Sequence, residues 1–375
     1  MPVRPDTLGL PLTIAFPSLA SLYPKVVGAP AAWNSGYTGE GVGIAVLDSG
    51  VQSIADFGSR LVQVQLPGQT TNADTYGHGT FVAGIAAGSA PAGNYVGIAP
   101  GATVYAMNVS HADGSVYSSD VISGLDWVLA NHTAYNIRVV NLSLSESAQS
   151  SYLASALDTA VERVWRDGVV VVASAGNRGP GAISYAPAND PFAITVGATD
   201  AKNTVSISDD TVATFSSSGT TQDGFTKPDL LAPGRLVPST LPGGTVLAGL
   251  APLTNLLGGG YATMSGTSFA APQVAGAAAV LLEGHPNWTP DQIKAALLRS
   301  AQSMSGSGKV LNVAGGVLLS SPPSPANEGL TQSSYGLDLS GGTTTTASWN
   351  TASWNTAAWN TASWNTAAWN SSSWD

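Results

Sequence analysis

The chain has 375 residues, of which 10% are charged, with a net charge of −10 and no cysteine. That length allows one large domain with appendages, and the acidic balance argues against nucleic acid or an anionic membrane as a partner. The lack of cysteine excludes thiol catalysis, disulfide scaffolds and cysteine–zinc sites. Residues 1–24 are rich in proline and leucine without periodicity, a poor signal peptide, and read as a surface extension. A short helix is expected over 29–33. Residues 41–47 (GVGIAVL) form an apolar run typical of a strand buried on both faces, ending in Asp48-Ser49-Gly50. A carboxylate at the carboxyl end of a buried parallel strand lies where open α/β sheets keep their chemistry, although an aspartate before glycine also makes a plain turn.

Further along, His78 stands between Gly77 and Gly79 and opens a small-residue helix, FVAGIAAG. The flanking glycines leave its ring accessible. His111, His132 and His285 lie in ordinary loop or helix-end contexts and receive no role. Strands are predicted over 103–108, 138–144, 168–173 and 192–197, with helices over 119–129 and 151–166. A short strand and turn follow at 227–234. This alternation predicts an α/β fold with a parallel sheet and helices on both faces. Residues 266–276 (GTSFAAPQVAG) place Ser268 before an alanine-rich apolar run reaching residue 282. Small residues on every side of that run indicate a buried central helix. At its mouth, unpaired N–H groups and the helix dipole favour a developing oxyanion, whereas an isolated serine there reads as an N-cap. Thr289, Pro290 and Asp291 start an outer helix over 290–300, and 310–319 closes the domain.

The chain ends in a repeat. Trp349, Trp354, Trp359, Trp364, Trp369 and Trp374 recur every five residues in units such as TASWN and TAAWN. Period five fits neither a strand face nor a helix stripe. The tail reads as a low-complexity segment or as an aromatic surface for cell wall, glycan or another chain. The organisation expected is an extension (1–24), a catalytic domain (25–320), a linker (321–345) and the repeat tail (346–375). No run of about 18 apolar residues occurs, so no membrane span is expected.

Asp48, His78 and Ser268 supply the three parts of an activated nucleophile. A serine needs a base to take its proton, histidine can do so, and a buried carboxylate fixes the imidazole tautomer. In AVLDSGV (45–51), GHGTFVAGI (77–85), VGIAP (96–100), NLSLS (141–145), VVVASAGN (170–177), KPDLLAPG (227–234) and GTSFAAPQVAG (266–276), the chain resembles the subtilisin-like serine peptidases across about 25–320. The resemblance implies a subtilisin-like three-layer fold and a broad-specificity serine endopeptidase acting through an acyl-enzyme, with Asp48, His78 and Ser268 catalytic. It also implies an oxyanion hole made by Asn177 and the Ser268 backbone N–H. By the same resemblance, NLSLS, Ser145 included, would supply an edge that pairs with an extended peptide, Ser143 and Leu144 would line the main specificity pocket, and Gly114 and Ser115 would form the opposing edge.

Several features depart from the family pattern. Ser145 and Glu146 stand where glycine is frequent, which should narrow the specificity pocket. Arg178 follows Asn177 and suggests tolerance of acidic residues before the scissile bond. The apolar insertion at 242–260 is expected to be either a flap on the cleft or a hairpin packed on the N-terminal extension. No cofactor or metal is implied for catalysis. Structural calcium stays open: the usual loop offers only Asn94 as a side-chain ligand, leaving backbone carbonyls. The expected partners are protein or peptide substrates and a cleaved pro-segment, and the expected location is extracellular. The alternative is a surface-binding, adhesive protein acting through the tryptophan repeat with an inert peptidase core.

Overall fold

Runs of β-branched residues set the centre of the molecule. Val139, Val140, Val170, Val171, Val172, Ile194 and Val196 have no room for water on either side of the sheet they form. The computed structural model describes residues 19–69, 71–90, 94–111, 114–304 and 308–335, together with the backbone of 361–363. In chain order the elements begin α1 (Tyr23–Val26), α2 (Ala29–Asn34), β1 (Gly43–Asp48), β2 (Leu61–Val64), α3 (His78–Ala87), β3 (Thr103–Asn108), β4 (Ser115–Tyr117) and α4 (Ser118–Tyr135). Next come β5 (Ile137–Leu142), β6 (Ser145–Glu146), α5 (Ala156–Arg166), β7 (Val170–Ser174), β8 (Ile194–Asp200), β9 (Thr211–Val212), β10 (Gly219–Thr220), β11 (Thr226–Lys227) and β12 (Leu230–Pro233). The remainder is β13 (Val237–Thr240), α6 (Val246–Leu250), β14 (Leu256–Gly258), β15 (Tyr261–Met264), α7 (Thr267–Gly284), α8 (Pro290–Ser300), β16 (Gln302–Ser303), β17 (Lys309–Val310), α9 (Val313–Val317) and β18 (Thr361–Ser363).

The main sheet runs β16-β17-β12-β8-β7-β5-β1-β3-β2, with β9 beside β8. From β17 to β2 every pairing is parallel; β16 and β9 are antiparallel additions. After β1 the chain lays down the edge strand β2, inserts β3 between the two, then crosses back to add β5, β7 and β8 on the other side. The strand order therefore reverses at β1, and a crevice opens at its carboxyl end. Asp48 is the last residue of that strand.

Helices cover both faces. On one, α3 and α7 pack against each other and on the sheet; on the other, α4 packs on α5. All of α7 from Thr267 to Leu282 is buried, so it carries no polar stripe. Its close approach to the His78 helix depends on Gly276. A Cβ there would stand 2.8 Å from the Ala86 carbonyl oxygen and 2.8 Å from the Ile98 Cβ.

The predicted strands and helices are present with shifted ends, and the α/β architecture is as expected. Several strands carry no clear sequence signal. Strand β2 lies at the sheet edge with exposed positions, and β13, β14 and β15 form a separate antiparallel sheet that contains and flanks the expected insertion. The helix expected over 151–166 begins later, because the Ser155 side chain accepts from the Asp158 N–H at 3.1 Å and caps α5. Leu19 and Tyr23 are buried, and the Tyr23 hydroxyl donates to the Val96 carbonyl at 3.1 Å, so packing starts before residue 25. Part of 321–335, which has linker composition, runs along α5. The Tyr152 hydroxyl donates to the Thr331 carbonyl, and Glu162 accepts from the Ser333 N–H at 2.8 Å. Of the repeat tail, only the backbone of 361–363 lies within the described residues.

Candidate active site

Asp48 is held at the end of β1 with no solvent exposure. Its Oδ1 accepts from the Ser49 N–H at 2.7 Å. Nδ1 of His78, the first residue of α3, lies 2.9 Å from Oδ1 and 3.0 Å from Oδ2. A carboxylate on Nδ1 favours the tautomer with its proton there, which leaves Nε2 with the lone pair a base requires. Gly79 makes the approach feasible: a Cβ at that position would run into the Gly50 carbonyl and stand 2.9 Å from Asp48 Oδ1.

Ser268 is the second residue of α7, next to Phe269, whose ring centroid lies 5.6 Å from that of His78. Helix α7 thus brings the serine to the same end of the sheet as the histidine. Two contacts tie Ser268 to the strand end after β5. Its hydroxyl donates to the Ser143 carbonyl at 3.2 Å, and its own carbonyl accepts from the Ser143 hydroxyl at 2.9 Å.

Asn177 follows β7. Its Oδ1 accepts from the Thr267 N–H at 2.9 Å and the Thr267 hydroxyl at 3.0 Å, while Thr267 Oγ1 accepts from the Gly176 N–H at 3.1 Å. Fixing the carbonyl end of the amide fixes the other end, so Nδ2 is presented as a donor beside Gly266 at the mouth of α7.

Strands β4 and β6 carry the residues expected on the two edges of a substrate groove. Ser115, Val116 and Tyr117 lie on one side, and Ser145 and Glu146 on the other. Gly114 precedes β4 with φ +82° and packs on the Tyr76 ring. Ser143, Leu144 and Ser145 are fully buried. Glu146 turns inward: its carboxylate accepts from the Ser118 hydroxyl at 2.8 Å, and burial pushes it above the ordinary range. Arg178 is engaged along the same edge. Its guanidinium donates to the Ser145 hydroxyl and the Glu146 carbonyl, both at 3.0 Å, and lies 4.0 Å over the Tyr185 ring.

Some contributors carry no motif of their own. Asp74, buried four residues before His78, accepts from the N–H groups of Gly77 (2.6 Å) and Thr80 (2.8 Å) and from the Ser49 hydroxyl (2.8 Å). Ser49 in turn accepts from the Gly79 N–H at 2.8 Å. This network joins the Asp48 turn to the start of α3. An aspartate three residues before an N–H it caps is the signal that could have revealed it. The insertion is a second contributor. The Ser239 hydroxyl donates to the Phe81 carbonyl at 2.8 Å, while Val246 and Leu247 donate N–H groups to the Thr75 (3.1 Å) and Tyr76 (2.9 Å) carbonyls. It buttresses the His78 helix, and residues 1–18, its other expected support, lie outside the described residues.

The remaining histidines have structural partners. His111 meets Asp120, His132 meets Asp167, and His285 meets the Val317 carbonyl and stacks on Trp288. Among the described residues no three His, Asp or Glu side chains converge as a metal site. In the loop after α3, the Asn94 carbonyl is taken by the Ala20 N–H at 2.8 Å. No helix among the described residues is long and apolar enough to cross a membrane.

Sequence comparison matches the subtilase family over residues 39–332. The chain is 39% identical over 289 residues to subtilisin Savinase of Lederbergia lenta, covering 76% of this chain and 94% of that protein. It is 38% identical over 267 residues to the serine protease AprX of Bacillus subtilis (strain 168), covering 68% of this chain and 60% of that protein. Among solved structures, a cold-adapted subtilisin-like serine proteinase superposes with a TM-score of 0.59 at 32% identity. That match covers 74% of this chain and 90% of the other.

Proposed function

The chain belongs to the subtilase family and is a serine-type endopeptidase; from that premise, we propose that Asp48, His78 and Ser268 are its catalytic triad and that it cleaves protein substrates with broad specificity. The observation that carries the assignment is the paired contact of Asp48 with His78 Nδ1 at the sheet end where Ser268 opens α7. In this reading His78 Nε2 takes the Ser268 proton as Oγ attacks the peptide carbonyl. The Asn177 Nδ2 and the Ser268 N–H receive the oxyanion. Collapse of the tetrahedral intermediate passes the proton to the leaving amine and forms the acyl-enzyme. Water, deprotonated by the same imidazole, then releases the carboxylate product.

Specificity is broad in this reading because β4 and β6 present main-chain edges, which bind an extended peptide whatever its side chains. Subtilases need no cofactor for catalysis, and no step here calls for one. An extracellular site of action and a pro-segment removed before activity belong to the same proposal. The adhesive alternative draws no support from the relatives. The test is labelling with a fluorophosphonate alongside hydrolysis of a protein substrate. Both are expected in the wild type and lost in Ser268→Ala and His78→Ala; labelling that persists in Ser268→Ala would overturn the assignment.

A further inference from the structure

Strands β4 and β6 do not pair with each other. Between them lies β18, three residues of the repeat tail. Ala362 stands opposite Val116 on one side and Glu146 on the other, and Ser363 stands opposite Ser115 and Ser145. Both pairings are antiparallel, so the tail backbone is the middle strand of a three-stranded sheet. Its two neighbours are the edges assigned above to the substrate. His78 is 3% and Ser268 2% exposed.

We propose that the pentapeptide repeat is an internal substrate mimic, a segment of this chain that occupies its own peptide groove and competes with incoming substrate. The inference rests on the groove assignment made under Proposed function. Three features of the chain fit it. First, main-chain pairing asks only for an extended backbone with free N–H groups, and residues 346–375 contain neither proline nor glycine. Second, the tail is uncharged except at Asp375, so seating it beside the buried Glu146 brings no ion out of water. Third, Thr-Ala followed by Ser or Ala begins at Thr346, Thr351, Thr356, Thr361 and Thr366, so five units can enter the same register.

Chain length permits the contact. About 25 residues separate Tyr335 from Thr361, and fully extended they reach roughly 80 Å. Such a tether supplies an effective concentration on the order of millimolar, and alternative units multiply it several-fold. A unit that binds only weakly as a free peptide therefore fills the groove when attached.

The experiment compares the full chain with a variant ending at residue 345, both counted by fluorophosphonate titration so that only competent enzyme enters the rates. With a chromogenic peptide substrate, removing the tail is expected to lower KM by about tenfold and leave kcat unchanged. The synthetic peptide TASWNTAAWN, added to the shortened enzyme, is expected to raise KM without changing kcat, and its backbone N-methylated form to do nothing. Equal KM values for the two enzymes, or no competition by the peptide at millimolar concentration, would overturn the inference. So would inhibition of the full chain that grows with enzyme concentration, since that assigns the occupant to another molecule. If neither protein takes the fluorophosphonate, it is the triad assignment that fails.

Discussion

At Asn177 a single rotation of the amide would exchange donor for acceptor, and the structure prevents it through Thr267. Two hydrogen bonds from Thr267 hold Oδ1, so Nδ2 is the group presented at the mouth of α7. Replacing Asn177 with Ala is expected to lower kcat by about 100- to 1000-fold with KM little changed. Thr267→Val keeps the backbone donor but loses the hydroxyl. It should cost about tenfold in kcat and add almost nothing in the Asn177→Ala background, because the two act through one amide. Additive losses in steady-state kinetics would show that Thr267 works otherwise. The sequence suggests that Arg178 tolerates acidic residues before the scissile bond, and its contacts point to a further role. With the guanidinium engaged by Ser145, the Glu146 carbonyl and the Tyr185 ring, its role is to hold the β6 edge. Arg178→Ala should raise KM several-fold across peptides of all charges, and a cleavage-site profile that changes only at acidic residues would refute this.

At the scale of elements, α3 is positioned by its neighbours more than by its own sequence. Asp74 gathers Gly77, Thr80 and Ser49, and so locks the turn after β1 to the start of the helix. Asp74→Ala leaves the buried Gly77 and Thr80 N–H groups without that acceptor, at about 1–3 kcal/mol each before relaxation. The expected result is a clear drop in denaturant midpoint together with lower kcat, since the Asp48–His78 geometry loosens. A variant with wild-type stability and turnover would show the network to be dispensable. The sheet of β13, β15 and β14 supports the same helix from outside, where the sequence left the apolar insertion open between a flap and a packed hairpin. Its sequence is glycine-rich and breaks the period-two pattern, so the strands were illegible; only the contacts at Thr75, Tyr76 and Phe81 reveal what they pack on.

For the whole molecule, the acids behind the groove tie stability to pH. Burial, followed by the charges of Asp190 and Glu146, pushes Asp158 well above the carboxylate range. Burial also raises Glu162, with Asp190 adding to it, and raises Asp190 against the opposing pull of Lys227 and Lys294. In the unfolded chain these groups ionise near pH 4, whereas in the fold they keep their protons to higher pH. The folded state therefore binds more protons over a window that opens near pH 4, and stability falls as pH rises through it. Thermal midpoints should decline with pH across that window, and Asp158→Asn should flatten the decline. A profile that rises with pH in the wild type, or is unchanged in the variant, would contradict this.

Two kinds of pattern were local enough to be legible in the sequence. The alternation of apolar strands and small-residue helices specified a parallel α/β sheet, because strand and helix periodicity are properties of neighbouring residues. The motif blocks around Asp48, His78, Asn177 and Ser268 marked the candidate chemistry for the same reason. Tertiary structure alone decided what lies far apart in the chain. It locked Asn177 by Thr267, engaged Arg178 at an edge strand, set the insertion against the histidine helix, and laid Thr361–Ser363 between β4 and β6. Each of these is a pairing between groups whose sequence contexts say nothing of one another, and packing in three dimensions is the only term that joins them.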